Sequence, residues 1–301
     1  MSVPSTSLTA ELFLKAEHML GEGPFWFDDR LWWVDINDGC LCSVEESGKN
    51  PTCDSLGEKL TCAAPIGRDR FVVTLHSRIA VYDRRTKAVQ TLTPPVSTAS
   101  NVRFNDGKCD SRGRLVAGTL SGSKEPSNAL YSYEAGQAIR TLRDGVILSN
   151  GLVWDPSGTT FYHVDSLKRE VGIFRYDPDT GLLGERTGTL AIPAELGIPD
   201  GMTLDADGHL WIALWGGSAV GCWSPRTGKL LRKISLPCTQ ATSCCFGGKD
   251  LRRLFITTAR EGLPASELEA QPLAGSIFVC DLETPGYPVN LFKENPADSP
   301  N

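Results

Sequence analysis

Apolar and polar positions along the chain fall into a pattern that recurs six times. Each copy opens on a polar or small residue followed by a small residue, usually Gly. A short apolar run, a turn and a second, strand-like apolar run follow. The copies read EGPFWFDDRLWWVD from Glu22, AAPIGRDRFVVTL from Ala63 and DGKCDSRGRLVAGT from Asp106. They continue with NGLVWDPSGTTFYHVD from Asn150, DGMTLDADGHLWIAL from Asp200 and CCFGGKDLRRLFITT from Cys244. Their starts lie 41, 43, 44, 50 and 44 residues apart. Short strands repeating at roughly 40–50 residues are the signature of propeller blades. The pattern therefore predicts an all-β, six-bladed β-propeller with four-stranded blades and a central channel.

Within each copy the turn between the first two strands is DPSG, DADG or DSRG. Asp early and Gly late suit a tight hairpin connection. Third strands are predicted at Ile79–Asp83, Leu130–Tyr133, Val171–Tyr176 and Ile277–Cys280. No long stretch carries a 3.6-residue apolar period, so few helices are expected. A toroid must be closed, and Ala10–Leu14 is expected to add a strand beside Ile277–Cys280. The reading gives a disordered lead over residues 1–9, one propeller domain over 10–290 and a polar tail over 291–301.

Net charge narrows the partners. The chain has 301 residues, a formal charge of −6, 41% hydrophobic and 22% charged residues. An acidic balance offers no footprint for nucleic acid or an anionic membrane. No apolar run approaches the roughly 20 residues of a transmembrane helix. Ten cysteines raise the question of disulfides. The N-terminal MSVPSTSLTAELFLKAE lacks the basic start and apolar run of a signal peptide. Free thiols and a cytoplasmic location are therefore expected, with several thiols serving as small buried hydrophobes.

The repeat also locates candidate chemistry. The first residue of each copy is equivalent by register: Glu22, Ala63, Asp106, Asn150, Asp200 and Cys244. Four of the six carry oxygen donors and three of those are carboxylates. Gathered at one level of a channel they repel one another without a cation, and hard divalent ions take such oxygens. Taken singly, an Asp-Gly or Asn-Gly pair more often caps a turn.

The stretches LGEGPFW, RFNDGKCDSRGRLVAGT, LSNGLVWDPSG, IPDGMTLDADGHLW and SCCFGGKDLRRLFITTAR resemble the senescence marker protein/gluconolactonase/regucalcin family, in order and over about residues 10–285. The resemblance implies a six-bladed propeller holding one catalytic divalent metal ion (Ca, Mg, Mn, Zn or Fe(II)) and hydrolysing sugar lactones. It implies Glu22, Asn150 and Asp200 as metal ligands. It places substrate contacts on Arg103 and Asn105 of RFND, and gives Asp106, one residue later, a turn-capping role. Animal members carry acidic residues in the loop after AGT. Here that loop reads LSGSKEPSNALY, with Ser121 and Ser123 at those positions, so Ser123 is the expected substrate contact. FYHVDS and ALWGGSAV look closer to bacterial and fungal pentonolactonases.

The expected reaction is metal-assisted attack of water on the lactone carbonyl, with Asp200 as general base. A metal hydrolase of other esters or organophosphates, and a non-catalytic calcium-binding propeller, stand as alternatives. A serine hydrolase is disfavoured because no Gly-x-Ser-x-Gly elbow occurs. His163 is expected to be packed in a strand, His18 to lie in a solvated loop, and Asp35 and Asp165 to bond between blades.

Overall fold

Six antiparallel sheets follow one another along the chain in the computed structural model, which describes residues 7–294. Blade 1 comprises Gly21–Phe27, Arg30–Asp35, Cys40–Glu45 and Thr52–Ser55. Blade 2 comprises Leu60–Gly67, Arg70–Leu75, Arg78–Asp83 and Ala88–Thr91. Blade 3 comprises Arg103–Cys109, Leu115–Leu120, Asn128–Tyr133 and Arg140–Val146. Blade 4 comprises Ser149–Trp154, Thr160–Asp165, Glu170–Asp177 and Leu182–Ala191. Blade 5 comprises Ile198–Leu204, Leu210–Trp215, Ala219–Trp223 and Leu230–Ser235. Blade 6 comprises Ala241–Gly247, Arg253–Thr258 and Ile277–Asp281. The first strand of each blade contacts the first strand of the next, and that of blade 6 contacts blade 1, which closes a ring. This is the predicted six-bladed β-propeller.

Closure uses the chain start as expected. Glu11–Leu14 pairs antiparallel with Ile277–Asp281 and supplies the outer strand of blade 6. The domain reading needs two corrections. Ser7–Thr9, read as part of a disordered lead, pairs in parallel with the outer strand of blade 5. Leu291–Glu294, read as polar tail, docks on blades 2 and 3. Phe292 is 2% exposed and stacks on Tyr133, and Glu294 forms a two-pronged ion pair with Arg70 at 2.5 and 2.8 Å. The polar letters around Phe292 hid one apolar anchor. The rest of both terminal readings, residues 1–6 and 295–301, lies outside the described residues.

Interblade seams are apolar. Trp32, Val34 and Leu41 of blade 1 pack with Phe71, Val73 and Ala80 of blade 2, and the other seams repeat this scheme. The strand-end carboxylates, expected to bond between blades, tie into the linkers that enter their own blades. Asp35 accepts from the Met19 and Leu20 N–H groups, and Asp165 from those of Ile147 and Leu148, each tying a strand to the segment that leads into its blade. His18 departs from its solvated reading: its ring bridges Asp35 Oδ2 and the Trp33 indole N–H.

The free-thiol expectation holds for eight cysteines, seven of them buried. It fails for Cys42 and Cys53, which form a disulfide. They face each other across the third and outer strands of blade 1. Their 11-residue separation does not reveal that register, because Cys53 lies in a short outer strand with no apolar signature. No helix among the described residues is long and apolar enough to cross a membrane.

Candidate metal and substrate site

In blades 1, 3, 4 and 5 the inner strand is interrupted where its oxygen-bearing residue sits. Pairing with the second strand skips from Glu22 to Phe25, from Phe104 to Gly107, from Ser149 to Leu152 and from Pro199 to Met202. Each skip is a β-bulge, which frees residues from the ladder and re-aims a side chain. In blades 3, 4 and 5 the glycine that follows is imposed by crowding of its neighbours, whereas Gly23 in blade 1 is needed for its positive φ of 51°. A Cβ on Gly151 meets the Asp200 carbonyl oxygen at 2.6 Å, and one on Gly201 meets Ser243 Oγ at 2.1 Å. The Asn-Gly and Asp-Gly pairs are therefore packing requirements of the ring, not hairpin turns.

Glu22, Asp106, Asn150 and Asp200 are 7%, 4%, 5% and 6% exposed. Burial, together with the neighbouring Asp106 charge, pushes the Glu22 carboxyl up to about 8, against the opposing Gly23 N–H, Arg103 and Lys108. Asp200 is driven well above the usual carboxylate range, first by burial and then by Glu22 and Asp106. Asp106 is raised by burial, with Lys108 and the Gly107 N–H opposing. These mutual effects place all three carboxylates in one cluster. Three of the cluster's oxygens, Asp106 Oδ2, Asn150 Oδ1 and Asp200 Oδ1, are buried without a hydrogen-bond partner. An unpaired buried polar atom costs about 1–3 kcal/mol, and a cation would satisfy all three. Hard oxygen donors of mixed charge fit a divalent ion.

Asp106 corrects the sequence reading. Its Oδ1 does accept the Gly107 N–H at 2.8 Å, as a turn cap does. Its second oxygen is unpartnered and its charge acts on Glu22 and Asp200, so it belongs to the ring. The bulge spanning Asn105 and Asp106 removes the strict alternation on which the turn-cap assignment rested.

Arg103 is held just beside the cluster. Its Nη1 donates to the Phe104 carbonyl at 2.9 Å and to Asn105 Oδ1 at 2.8 Å. Burial lowers its affinity for its proton, while Glu261, Glu22 and Asp200 act the other way. Asn105 is 7% exposed, and its Nδ2 donates to the Ser149 carbonyl at 2.9 Å. These bonds orient Arg103 and bridge blades 3 and 4, and they leave one Nδ2 proton and one Oδ1 lone pair for a further partner. Ser123 lies half-buried in the loop after Leu115–Leu120, where its hydroxyl accepts the Glu125 N–H at 3.0 Å. No hydrogen bond joins it to Arg103 or Asn105 among the described residues.

Sequence reasoning missed Lys108 and Glu261. Lys108 donates to the Met202 carbonyl at 2.6 Å and offsets the carboxylates. It lies two residues past Asp106 on the same strand. Glu261 accepts from Asn37 Nδ2 at 2.8 Å, joining loops of blades 6 and 1 near Arg103. It lies outside the repeat register, so no periodic signal marks it. His163 is buried, donor or acceptor to Ser149 Oγ at 2.8 Å, with its pKa lowered to about 3 by burial and then by Arg143; it is a packed residue as expected. Cys244 and Cys245 are likewise buried.

Comparison with known proteins agrees with this geometry. Residues 20–260 match the SMP-30/Gluconolactonase/LRE-like region. The chain is 36% identical over 272 residues to the Bacillus subtilis protein named "Putative sugar lactone lactonase YvrE", covering 89% of this chain and 93% of that one. It is 36% identical over 289 residues to regucalcin of Danio rerio, covering 94% and 98%. Its fold is similar to that of a calcium-binding regucalcin from Agrobacterium tumefaciens, with a TM-score of 0.89 and 25% identity over 97% of this chain and 100% of the other. The protein belongs to the SMP-30/gluconolactonase/regucalcin family.

Proposed function

We propose that the protein hydrolyses sugar (aldono-) lactones to the corresponding aldonic acids with one divalent ion held by Glu22, Asn150 and Asp200. The observation that carries this reading is the set of buried, unpartnered oxygens beside the half-buried Arg103. The similarity to a protein named for sugar lactone hydrolysis supports the substrate class.

When bound, the ion supplies Lewis acidity for the lactone carbonyl and lowers the pKa of a water. The chain's own groups do the rest. Glu22 and Asp200 contribute two negative charges, and Asn150 a neutral oxygen that adds no repulsion. Arg103 presents fixed donors to the lactone oxygens and to the carboxylate that develops, held in place by Asn105. Asp200 takes a proton from the attacking water and returns it to the leaving ring oxygen. Its burial between two other carboxylates makes it a strong enough base once the cluster is ionised. Ser123, in the loop on the Arg103 side, is the residue through which a sugar hydroxyl is read.

The test is proton release on a panel of pentono- and hexonolactones, with chelator-stripped protein and after adding back each divalent ion. Metal-dependent turnover is expected. Turnover of phosphotriesters in preference to lactones would favour a different metal hydrolase. Stoichiometric metal uptake with no turnover of any ester would favour a calcium-binding propeller.

A further inference from the structure

The hairpins that join the first two strands of blades 3, 4 and 5 each open on an aspartate: Asp110, Asp155 and Asp205. In blade 3 the residue four positions on is Arg114, which closes on Asp110 at 2.7 Å with both side chains buried. The same position in blade 5 is His209, and it does not close. Its Nδ1 stands 3.5 Å from Asp205 Oδ2, beyond the roughly 2.7–3.2 Å of an N–H···O hydrogen bond. The Asp205 side chain is only 3% exposed. Three neutral donors fix it: the Asp207 and His209 N–H groups on Oδ1 and the Trp211 indole N–H on Oδ2. A buried, oriented carboxylate is thus left without the fixed cation that its counterpart in blade 3 has.

A thiol completes the group. Cys222, on the third strand of blade 5, lies opposite Trp211 in the ladder. His209 precedes Trp211 by two residues, so its side chain leaves the same face. The Cys222 sulfur, a His209 ring nitrogen and an Asp205 oxygen all lie within 4.8 Å of one another. Tetrahedral zinc, with bonds of 2.0–2.2 Å to nitrogen and oxygen, spaces two such ligands by about 3.4 Å. That is close to the 3.5 Å between His209 and Asp205. A set of one oxygen, one nitrogen and one sulfur suits a borderline-soft ion, whereas Ca²⁺ and Mg²⁺ take oxygens alone.

The group is open to solvent and separate from the channel. The His209 side chain is 31% exposed. It forms part of the wall of a surface cavity of about 410 Å³, with Tyr162, Asp207, Ser224 and Arg226, which gives an ion a way in. Asp205 follows Asp200 by five residues along blade 5, a distance of roughly 15 Å for extended chain. The two sites share no ligand.

We propose that Asp205, His209 and Cys222 form a zinc-type metal site on the rim of blade 5, distinct from the channel ring. The fourth position is left to water. The ion takes Cys222 as thiolate, its proton passing to solvent, and clips the hairpin of the first two strands to the third. The site does not depend on the lactone-hydrolysis reading.

Co²⁺ added to the chelator-stripped protein tests it, as a coloured substitute for zinc. A sulfur-to-cobalt charge-transfer band is expected at one equivalent, which the oxygen donors of the ring cannot give. The band is expected to vanish in Cys222→Ser and to persist in Cys244→Ser. No band, or one that survives Cys222→Ser, overturns the proposal. Should Cys222→Ser not fold, His209→Ala at its partly exposed position decides: at least tenfold weaker Co²⁺ binding is expected at this site, and unchanged affinity overturns it. Calorimetry with Zn²⁺ separates this site from the channel. Two equivalents are expected for the wild type and one for Cys222→Ser; one equivalent in the wild type with the cobalt band present would sink the channel metal and leave the blade 5 site standing.

Discussion

At one level of the channel, blades 1, 3, 4 and 5 present Glu22, Asp106, Asn150 and Asp200, whereas blades 2 and 6 present Ala63 and Cys244. The backbones are alike: all six inner strands bulge near this level. The difference lies in how the polar atoms are treated. In blade 2 the hydroxyls of Thr61 and Thr74 meet at 2.6 Å, and Thr74 Oγ1 also accepts the Cys62 N–H. In blade 6 Thr242 bonds to the Gly21 carbonyl and to Thr257. At this level the inner-strand hydroxyls of these two blades are paired. In blades 3, 4 and 5 an oxygen is left without a partner. The unpartnered oxygens are therefore a local property of blades 3, 4 and 5 and not a consequence of propeller geometry.

The sharpest way to break the comparison is to remove the oxygen on which both metal retention and base chemistry rest. Asp200→Ala is expected to lower lactone turnover about a thousandfold or more, since a catalytic ion supplies several kcal/mol and each ~1.4 kcal/mol is tenfold. Wild-type rates in a metal-replete sample would sink the assignment. The next effect is that of the cation itself. Adding a divalent ion at a hundredfold excess over Kd should stabilise the protein by about 2.7 kcal/mol, a rise of several degrees in Tm by calorimetry; an unchanged Tm for every ion tried contradicts the site.

Titration sharpens this result. Glu22, Asp106 and Asp200 all have raised pKa values in the folded state, so folding favours their protonated forms. Their stabilising contribution is full below the unfolded pKa near 4.5 and is lost as pH rises through about 8 for Glu22. Metal-free protein should melt progressively lower between those limits, and a divalent ion should remove most of that slope by displacing the protons. A flat metal-free profile would show that the carboxylates are not clustered.

Moving charge between the two kinds of blade gives smaller effects. Asp106→Asn keeps a side chain able to accept the Gly107 N–H but removes a negative charge. A turn cap predicts no change. A ring member predicts a metal-free Tm higher by a few degrees and metal affinity about tenfold weaker by calorimetric titration. Cys244→Ser, in a blade whose inner-strand hydroxyls are paired, should cost about 1 kcal/mol with metal Kd unchanged. A loss of metal binding there would mean that blade 6 contributes to the site after all.

Much of this was legible because repetition is a strong signal. Each blade reuses the same apolar alternation and the same small residue where inner strands crowd, so period and register could be read from the letters around Glu22, Asn150 and Asp200. Asp106 was harder, since one bulge reverses the sense of alternation and bulges leave no clear mark in sequence. Phe292 and the Cys42–Cys53 pair were harder still. Each depends on a contact whose two halves carry no shared pattern.

The sequence by itself determined the number of blades and the four oxygen-bearing positions, because these follow from a periodic pattern that a strand ladder must obey, and it placed the closing strand at Ala10–Leu14, observed at Glu11–Leu14, because a toroid must close. Only the tertiary structure decided which oxygens go unpartnered, that Asn105 serves Arg103, and that the C-terminal segment spans the far face from blades 5 and 6 to blades 2 and 3. Those facts rest on distances between residues far apart in the chain. Burial, which sets both the pKa values and the cost of an unpaired atom, exists only once the ring has closed.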